Sequence, residues 1–238
     1  MQKNVTIFKN IRETETPFYR SIDTILLRIK EGKSMDLVKS IRSEKDKSER
    51  NELKKLLPAV CFSGEFTKRA DKSIVNHSGF ICLDFDNYEK VKEMQDDKSR
   101  LSKDKYVYSV FVSPSGKGLK AIVKIPADID NHVNYFISLE EYFDSPYFDK
   151  TSKNIGRVCY ESWDKNIYIN KESEVWDKIK EREYKEVDTS STYKSLPITD
   201  ETKIIEKAKF DKLIATGKVA LYFVNDPKGN YIFWLNNL

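Results

Sequence analysis

The sequence predicts an α+β fold. Three observations carry that expectation. Short apolar or alternating runs recur along the chain at strand length. Amphipathic segments with apolar residues at helical spacing lie between them. The turn Ser113-Pro-Ser-Gly-Lys-Gly118 joins two such runs as a hairpin would.

The elements follow in order. Residues 3–8 alternate Val5 and Ile7 with Asn4 and Thr6, as a strand does. Thr16-Pro17 opens a helix covering about 21–30, whose Ile22, Ile25, Leu26 and Ile29 share one face. A second helix runs from 34 to about 43. The charge-dense stretch 42–55 reads as a solvated helix or loop. Residues 56–62 suit a strand, Ser63-Gly64 a turn, and 79–86 a further strand. A helix is expected over 88–101, then the hairpin strands 106–113 and 119–125. Asp130 or Asn131 caps a helix through about 143, with Val133, Phe136, Ile137 and Leu139 inward. Short strands follow at about 157–161 and 167–169, joined by an Asp164-Lys-Asn turn, and then a charged helix at 171–182. Residues 183–200 are a Ser/Thr/Lys-rich linker. The end of the chain, 201–238, is a small unit: a helix over 201–216 and a hairpin of 218–224 with 231–235.

Composition narrows the function. The chain of 238 residues carries 42 Lys and Arg against 38 Asp and Glu, a net charge of +4. That balance permits nucleic-acid or nucleotide binding without demanding it. No apolar run approaches the roughly 18 residues a membrane span needs, and the first residues lack a signal core, so a cytoplasmic protein with no membrane partner is expected. Cys61, Cys82 and Cys159 stand singly in apolar runs and read as small buried hydrophobes in a reducing compartment. The absence of any C-x-x-C pair excludes a zinc ribbon. His77 reads as a packing or capping residue, with a general base as the alternative, and His132 as an exposed residue.

The stretch Phe80-Ile-Cys-Leu-Asp84-Phe-Asp86-Asn87 carries the strongest chemical signal. In a strand Asp84 and Asp86 project from one face while Leu83 and Phe85 pack on the other. Paired carboxylates repel unless a cation lies between them, and a divalent metal is the usual answer where phosphates are handled. The alternative is a strand running out into a polar turn. The segment Ser113-Pro-Ser-Gly-Lys-Gly-Leu-Lys120 offers hydroxyls, glycine backbone and two lysines, as a phosphate cradle would, although a polar hairpin turn explains the glycines equally well. It lacks the Walker A spacing. Asp149 gains interest only if it reaches Asp84 and Asp86, and Arg157 faces either solvent or a phosphate. Tyr106, Tyr108 and Tyr160 read as packing residues in strands, or as base-stacking platforms if exposed.

Taken together, His77-Ser-Gly-Phe-Ile-Cys-Leu-Asp84-Phe-Asp86-Asn87, Phe111-Val-Ser-Pro-Ser-Gly-Lys-Gly-Leu-Lys120, Tyr147-Phe-Asp149 and the stretch from Arg157 to Asn170 resemble the motif order of the archaeo-eukaryotic primase superfamily, the primase–polymerases. The likeness covers about residues 55–176 and is nearest to the bacterial and phage branch with the VirE-type N-terminal domain. The resemblance implies an RRM-like antiparallel catalytic sheet with helices, packed with an N-terminal αβ module. That places a catalytic domain at 1–182, with modules at about 1–75 and 76–182. It implies that Asp84, Asp86 and Asp149 bind catalytic Mg²⁺ or Mn²⁺. It also implies that Ser113, Ser115, Gly116 and Lys117 hold the nucleotide, with Lys120 where the family has a histidine and Arg157 as a further phosphate contact. The implied activity is metal-dependent addition of NTP or dNTP on a single-stranded DNA template or primer, in phage or mobile-element replication, with a separate replicative helicase as a further partner. Two other readings keep the same residues: a non-catalytic single-stranded-DNA-binding replication or mobilisation protein, and a metal-dependent nuclease.

Overall fold

The computed structural model describes residues 3–179, 203–205, 219–224 and 231–235. The chain divides into two units, Met1–Arg182 and Glu183–Leu238. The first unit begins with β1 (Asn4–Phe8), β2 (Phe18–Ser21), α1 (Ile22–Glu31), α2 (Met35–Ser43), α3 (Lys47–Lys54), β3 (Ala59–Cys61), β4 (Gly64–Phe66) and β5 (Ile74–His77). It continues with β6 (Phe80–Phe85), α4 (Val91–Leu101), β7 (Val107–Val112), β8 (Leu119–Lys124), α5 (His132–Phe143), β9 (Cys159–Tyr160) and β10 (Tyr168–Ile169). The fold is mixed α and β with antiparallel sheets, as the composition of its segments predicts.

Strands β2-β1-β3-β9 form one sheet and β10-β7-β8-β6 the other, with β4 and β5 as a separate pair. The order β6–α4–β7–β8–α5 follows the first five elements of a split β-α-β-β-α-β plan. The last strand, β10, lies beside β7, and the free side of β6 is taken by residues 147–149 instead. Two apolar cores flank this second sheet. Leu83, Phe85, Val107, Leu119 and Ala121 pack on one face with Met94 and Leu101 of α4 and Phe136 and Leu139 of α5. Phe80, Tyr108, Phe111 and Ile122 pack on the other with Ile22, Ile25, Leu26 and Ile29 of α1 and with Val5, Ile7, Val60 and Phe62. Each fully buried Leu, Ile or Phe in these layers contributes about 1.5–3 kcal/mol. A rigid sheet clamped from both faces is the platform for the site.

Several boundaries differ from the sequence expectation, each for a local reason. The segment after Thr16-Pro17 is β2, paired with β1 through Ile7↔Phe18 and Thr6↔Tyr19. The helix then starts at Ile22 because Ser21 caps it, its Oγ accepting from Thr24 N at 3.2 Å. Gly64, expected in a turn, instead opens β4 and pairs with His77. Helix α4 starts late, at Val91, because Asn87 is left-handed (φ 66) and Tyr88 turns inward. At α5 the position before the helix is Asn131, with no side-chain cap, and the inward residues are His132, Tyr135, Phe136, Leu139 and Phe143, while Val133 and Ile137 are half-buried. Residues 171–179 are not helical. Their backbone is bonded elsewhere: Glu174 N to Lys105 O and Trp176 N to Lys124 O, both at 2.8 Å, so tertiary pairing overrides helix propensity.

His132 is buried, contrary to its reading as an exposed residue. Its Nδ1 lies 3.0 Å from His77 Nε2, and burial holds both rings neutral, His77 down to about 4 and His132 to about 3. Cys61 and Cys159 are buried and Cys82 is half-buried, all as free thiols, and burial pushes the Cys61 thiol up to about 12.

In the second unit β11 (Lys203–Ile205), β12 (Val219–Val224) and β13 (Tyr231–Leu235) form an antiparallel sheet in the order β11-β13-β12. β12 and β13 pair antiparallel at the positions where the sequence predicts two hairpin strands. β11 falls where the sequence predicts the start of a helix: Lys-Ile-Ile is good strand composition and pairs with β13. The rest of that predicted helix and the predicted linker lie outside the described residues. Among the described residues no helix is long and apolar enough to cross a membrane.

Candidate active site

Asp84 sits in β6 and Asp86 just beyond its end, both on the face opposite the fully buried Leu83 and Phe85. Asp149 reaches them through the backbone. Residues 147–149 run antiparallel along the open edge of β6, with Asp86 N donating to Tyr147 O at 2.7 Å and Asp149 N to Asp84 O at 2.8 Å. Phe85 and Phe148 form the bridge between these bonds, and their rings meet edge to face at 5.3 Å. Tyr147 is stacked on Tyr88 at 4.1 Å, and the Tyr88 hydroxyl donates to Asp97 at 2.5 Å. The three carboxylates therefore offer oxygen atoms that all lie within 4.8 Å of one another.

Such a cluster is electrostatically costly. Burial raises the Asp86 pKa above its ordinary value, and the Asp84 and Asp149 charges add to the effect against Lys120 and Lys54. Asp149 is held below its ordinary value: burial opposes this, but Thr151 N and Oγ1 donate to its Oδ1 at 2.9 and 2.7 Å, and Arg157 and Lys120 lie near. Arg157 Nη2 is 3.5 Å from Asp149 Oδ2 and 3.9 Å from Asp84 Oδ2. Three converging hard oxygen donors are a set that hard divalent cations take, so the residues fit a divalent ion.

The hairpin does not behave as a simple phosphate cradle. β8 pairs with β6 in a register that sets Lys120 opposite Asp84, and Lys120 Nζ lies 2.5 Å from Asp84 Oδ2. Burial would lower the Lys120 pKa, yet the Asp84 and Asp86 charges raise it. Lys120 is thus committed to a carboxylate instead of projecting toward a phosphate. The Gly116 N–H is used within the turn, donating to Ser113 O at 2.9 Å, and the glycine lies under the Arg42 side chain. Gly118 is required by the site itself: a Cβ there would come within 2.1 Å of Asp86 Oδ1.

Ser113, Ser115, Lys120 and Arg157 line a cleft of ≈ 370 Å³ together with Asp84, Asp86, Lys54 and Tyr160. Tyr106 and Tyr108 are buried, so Tyr160 is the tyrosine of the three that reaches the cleft. Lys117 lines an adjoining basin of ≈ 730 Å³, which also contains Lys47, Arg50, Asn51 and Lys54 of α3, along with Asp149 and Lys150. The two spaces share Lys54, Asp86 and Ser115. Sequence reasoning missed α3 by reading it as a solvated surface. The available signal was its spacing: Lys47, Arg50, Asn51 and Lys54 fall on one helical face.

Residues 52–169 match the family model described as the BT4734-like, N-terminal domain. That segment contains all three acids and the hairpin. No curated protein matches the chain. Among solved structures, the AEP domain of the cyanophage S-2L primase-polymerase (PrimPol) is similar at 10% identity and a TM-score of 0.40, covering 74% of this chain and 85% of that one.

Proposed function

We propose that this protein is a DNA primase–polymerase that adds nucleotides to a primer, or starts primers, on single-stranded DNA. The observation that supports it most is the convergence of Asp84, Asp86 and Asp149 within 4.8 Å beside a cleft that also carries Lys54, Lys120 and Arg157. The motif order in the sequence points the same way. In this reading the three carboxylates would hold Mg²⁺ or Mn²⁺, which would supply Lewis-acid activation of a 3′-hydroxyl and charge neutralisation of the triphosphate. Arg157, beside Asp84 and Asp149, neutralises the cluster and meets the phosphate at its edge. Ser113 and Ser115, whose hydroxyls are 3.1 Å apart, donate to the nucleotide. Lys120 stabilises Asp84 and is freed from it as other positive charge arrives. The reading places the protein in the replication of a phage or mobile element in a bacterial cytoplasm, beside a separate helicase.

One observation favours a second reading, a non-catalytic single-stranded-DNA-binding protein: the Lys120–Asp84 ion pair already supplies the charge that a metal would bring. Primer extension separates the two. With Mn²⁺ or Mg²⁺, nucleotides and primed single-stranded DNA, the purified protein lengthens the primer, and Asp84→Asn lowers the rate by about a thousandfold or more, as loss of several kcal/mol of charge stabilisation requires. Absence of any product with either metal, alongside DNA binding that survives Asp84→Asn, contradicts the proposal. Shortening of the DNA without nucleotides identifies a nuclease.

A further inference from the structure

We infer that the cationic face of α3, formed by Lys47, Arg50, Asn51 and Lys54 and joined by Lys117 of the hairpin, is the binding surface for the polyphosphate tail of a nucleoside triphosphate. The inference rests on the nucleotidyl-transfer reading only for the identity of the ligand.

Positions 47, 50, 51 and 54 fall within one side of a helix with about 100° per residue, and all four line the basin. The acids of α3 point elsewhere: Glu52 pairs with Arg12 at 3.0 Å and Lys55 at 2.5 Å. No α3 residue is buried, so the helix is not cationic to satisfy the core. It docks instead through Leu53, which packs on Val38, Ile41 and Leu57.

Lys120 is paired with Asp84, whereas Lys47, Lys54 and Lys117 form no salt bridge among the described residues. Lys54 is the most exacting of them. It borders both the basin and the carboxylate cleft. Its pKa is lowered by burial and by the charges of Arg50, Lys120 and Lys47, with the Asp86 charge opposing them.

The ligand class follows from charge density. A single DNA strand brings one charge per nucleotide, spread along its length. A triphosphate concentrates several charges in one place, and the basin offers five cations, of which Lys150 is paired with Glu140, with the Asn51 amide and Ser115 hydroxyl in one concavity. Because the basin meets the carboxylates at Asp86, a tail lying there leaves the α-phosphate beside the cluster.

The test is equilibrium binding by calorimetry, with Mn²⁺ and a non-hydrolysable deoxynucleoside triphosphate, its monophosphate, and a single-stranded oligonucleotide as separate probes. Wild type is compared with Lys54→Gln, Lys54→Arg and the double variant Lys47→Gln/Arg50→Gln. Lys54→Gln and the double variant each weaken triphosphate binding about tenfold, the loss of charge-assisted hydrogen bonds. Monophosphate binding stays unchanged, and Lys54→Arg restores most of the affinity. Thermal unfolding changes little in the variants, because Lys47 is exposed and Arg50 and Lys54 are only half-buried. Unchanged triphosphate affinity in the Gln variants overturns the assignment while leaving nucleotidyl transfer intact. A loss confined to the oligonucleotide overturns it in favour of a strand-binding surface. Failure of wild type to bind triphosphate at all sinks the transfer reading itself.

Discussion

The two walls of the cleft are built by opposite means. The carboxylate wall comes from backbone. Two main-chain hydrogen bonds tie residues 147–149 to β6, and the Phe85, Phe148 and Phe136 rings lock the seam from behind. The cationic wall comes from long side chains on a short helix that docks through Leu53 and on a hairpin turn. Like charges brought within 4.8 Å need a frame that does not yield. Cations that wait for an anion are best left on flexible stems in water. Changes to the first wall should therefore disturb stability and ion binding together, and changes to the second should disturb ligand binding alone.

The largest break of that pattern comes from Lys120, whose side chain is 13% exposed against 8% for Asp84. Lys120→Met leaves the buried Asp84 carboxylate with only Arg157, at 3.9 Å, as an ion-pair partner and costs up to about 3–5 kcal/mol in urea unfolding without metal. Added Mn²⁺ recovers part of the loss. A cost near zero would mean that Asp84 finds another partner and that the wall is softer than described.

Gly118→Ala comes next. Its Cβ would lie 2.1 Å from Asp86 Oδ1 and 2.8 Å from Phe85 O, so the hairpin or the aspartate must shift. Overpacking of this kind costs about 1–3 kcal/mol, and Mn²⁺ affinity falls with it. Full ion affinity in this variant would show that Asp86 is not held by the hairpin.

The smallest effect is that of pH on Asp86. Its folded pKa is raised, so the proton is bound more tightly in the folded chain than in the unfolded one. The metal-free protein therefore gains stability from Asp86 as pH falls through the raised value, while Mn²⁺ affinity drops over the same interval. Asp86→Asn raises metal-free stability at pH 7 by about 0.5–1 kcal/mol, as removal of a strained functional charge does. A loss of stability in that variant would contradict the repulsion assigned to the cluster.

Much of the carboxylate wall was legible in the sequence. Period-two alternation places Asp84 and Asp86 on one face, and the hairpin is written in its turn residues. Asp149 was legible only through the family resemblance, because its position depends on residues 147–149 adopting the free edge of β6, a pairing that local pattern does not encode. Lys120 was visible as a hairpin lysine, but the register that sets it against Asp84 is a tertiary fact. Lys47, Arg50 and Lys54 look like any solvated helix until the fold places a cleft beside them. His132 failed for a related reason: nothing around a histidine at a helix start reveals a second imidazole 3.0 Å away.

The central claim, that Asp84, Asp86 and Asp149 act as one ion site beside a phosphate basin, is tested most directly by a crystal structure with Mn²⁺ and a non-hydrolysable nucleoside triphosphate. The account predicts anomalous density touching all three carboxylates, Lys120 withdrawn from Asp84, and the phosphate tail against Lys54. Mn²⁺ density that leaves Asp149 uncoordinated, with Lys120 still on Asp84, would contradict it.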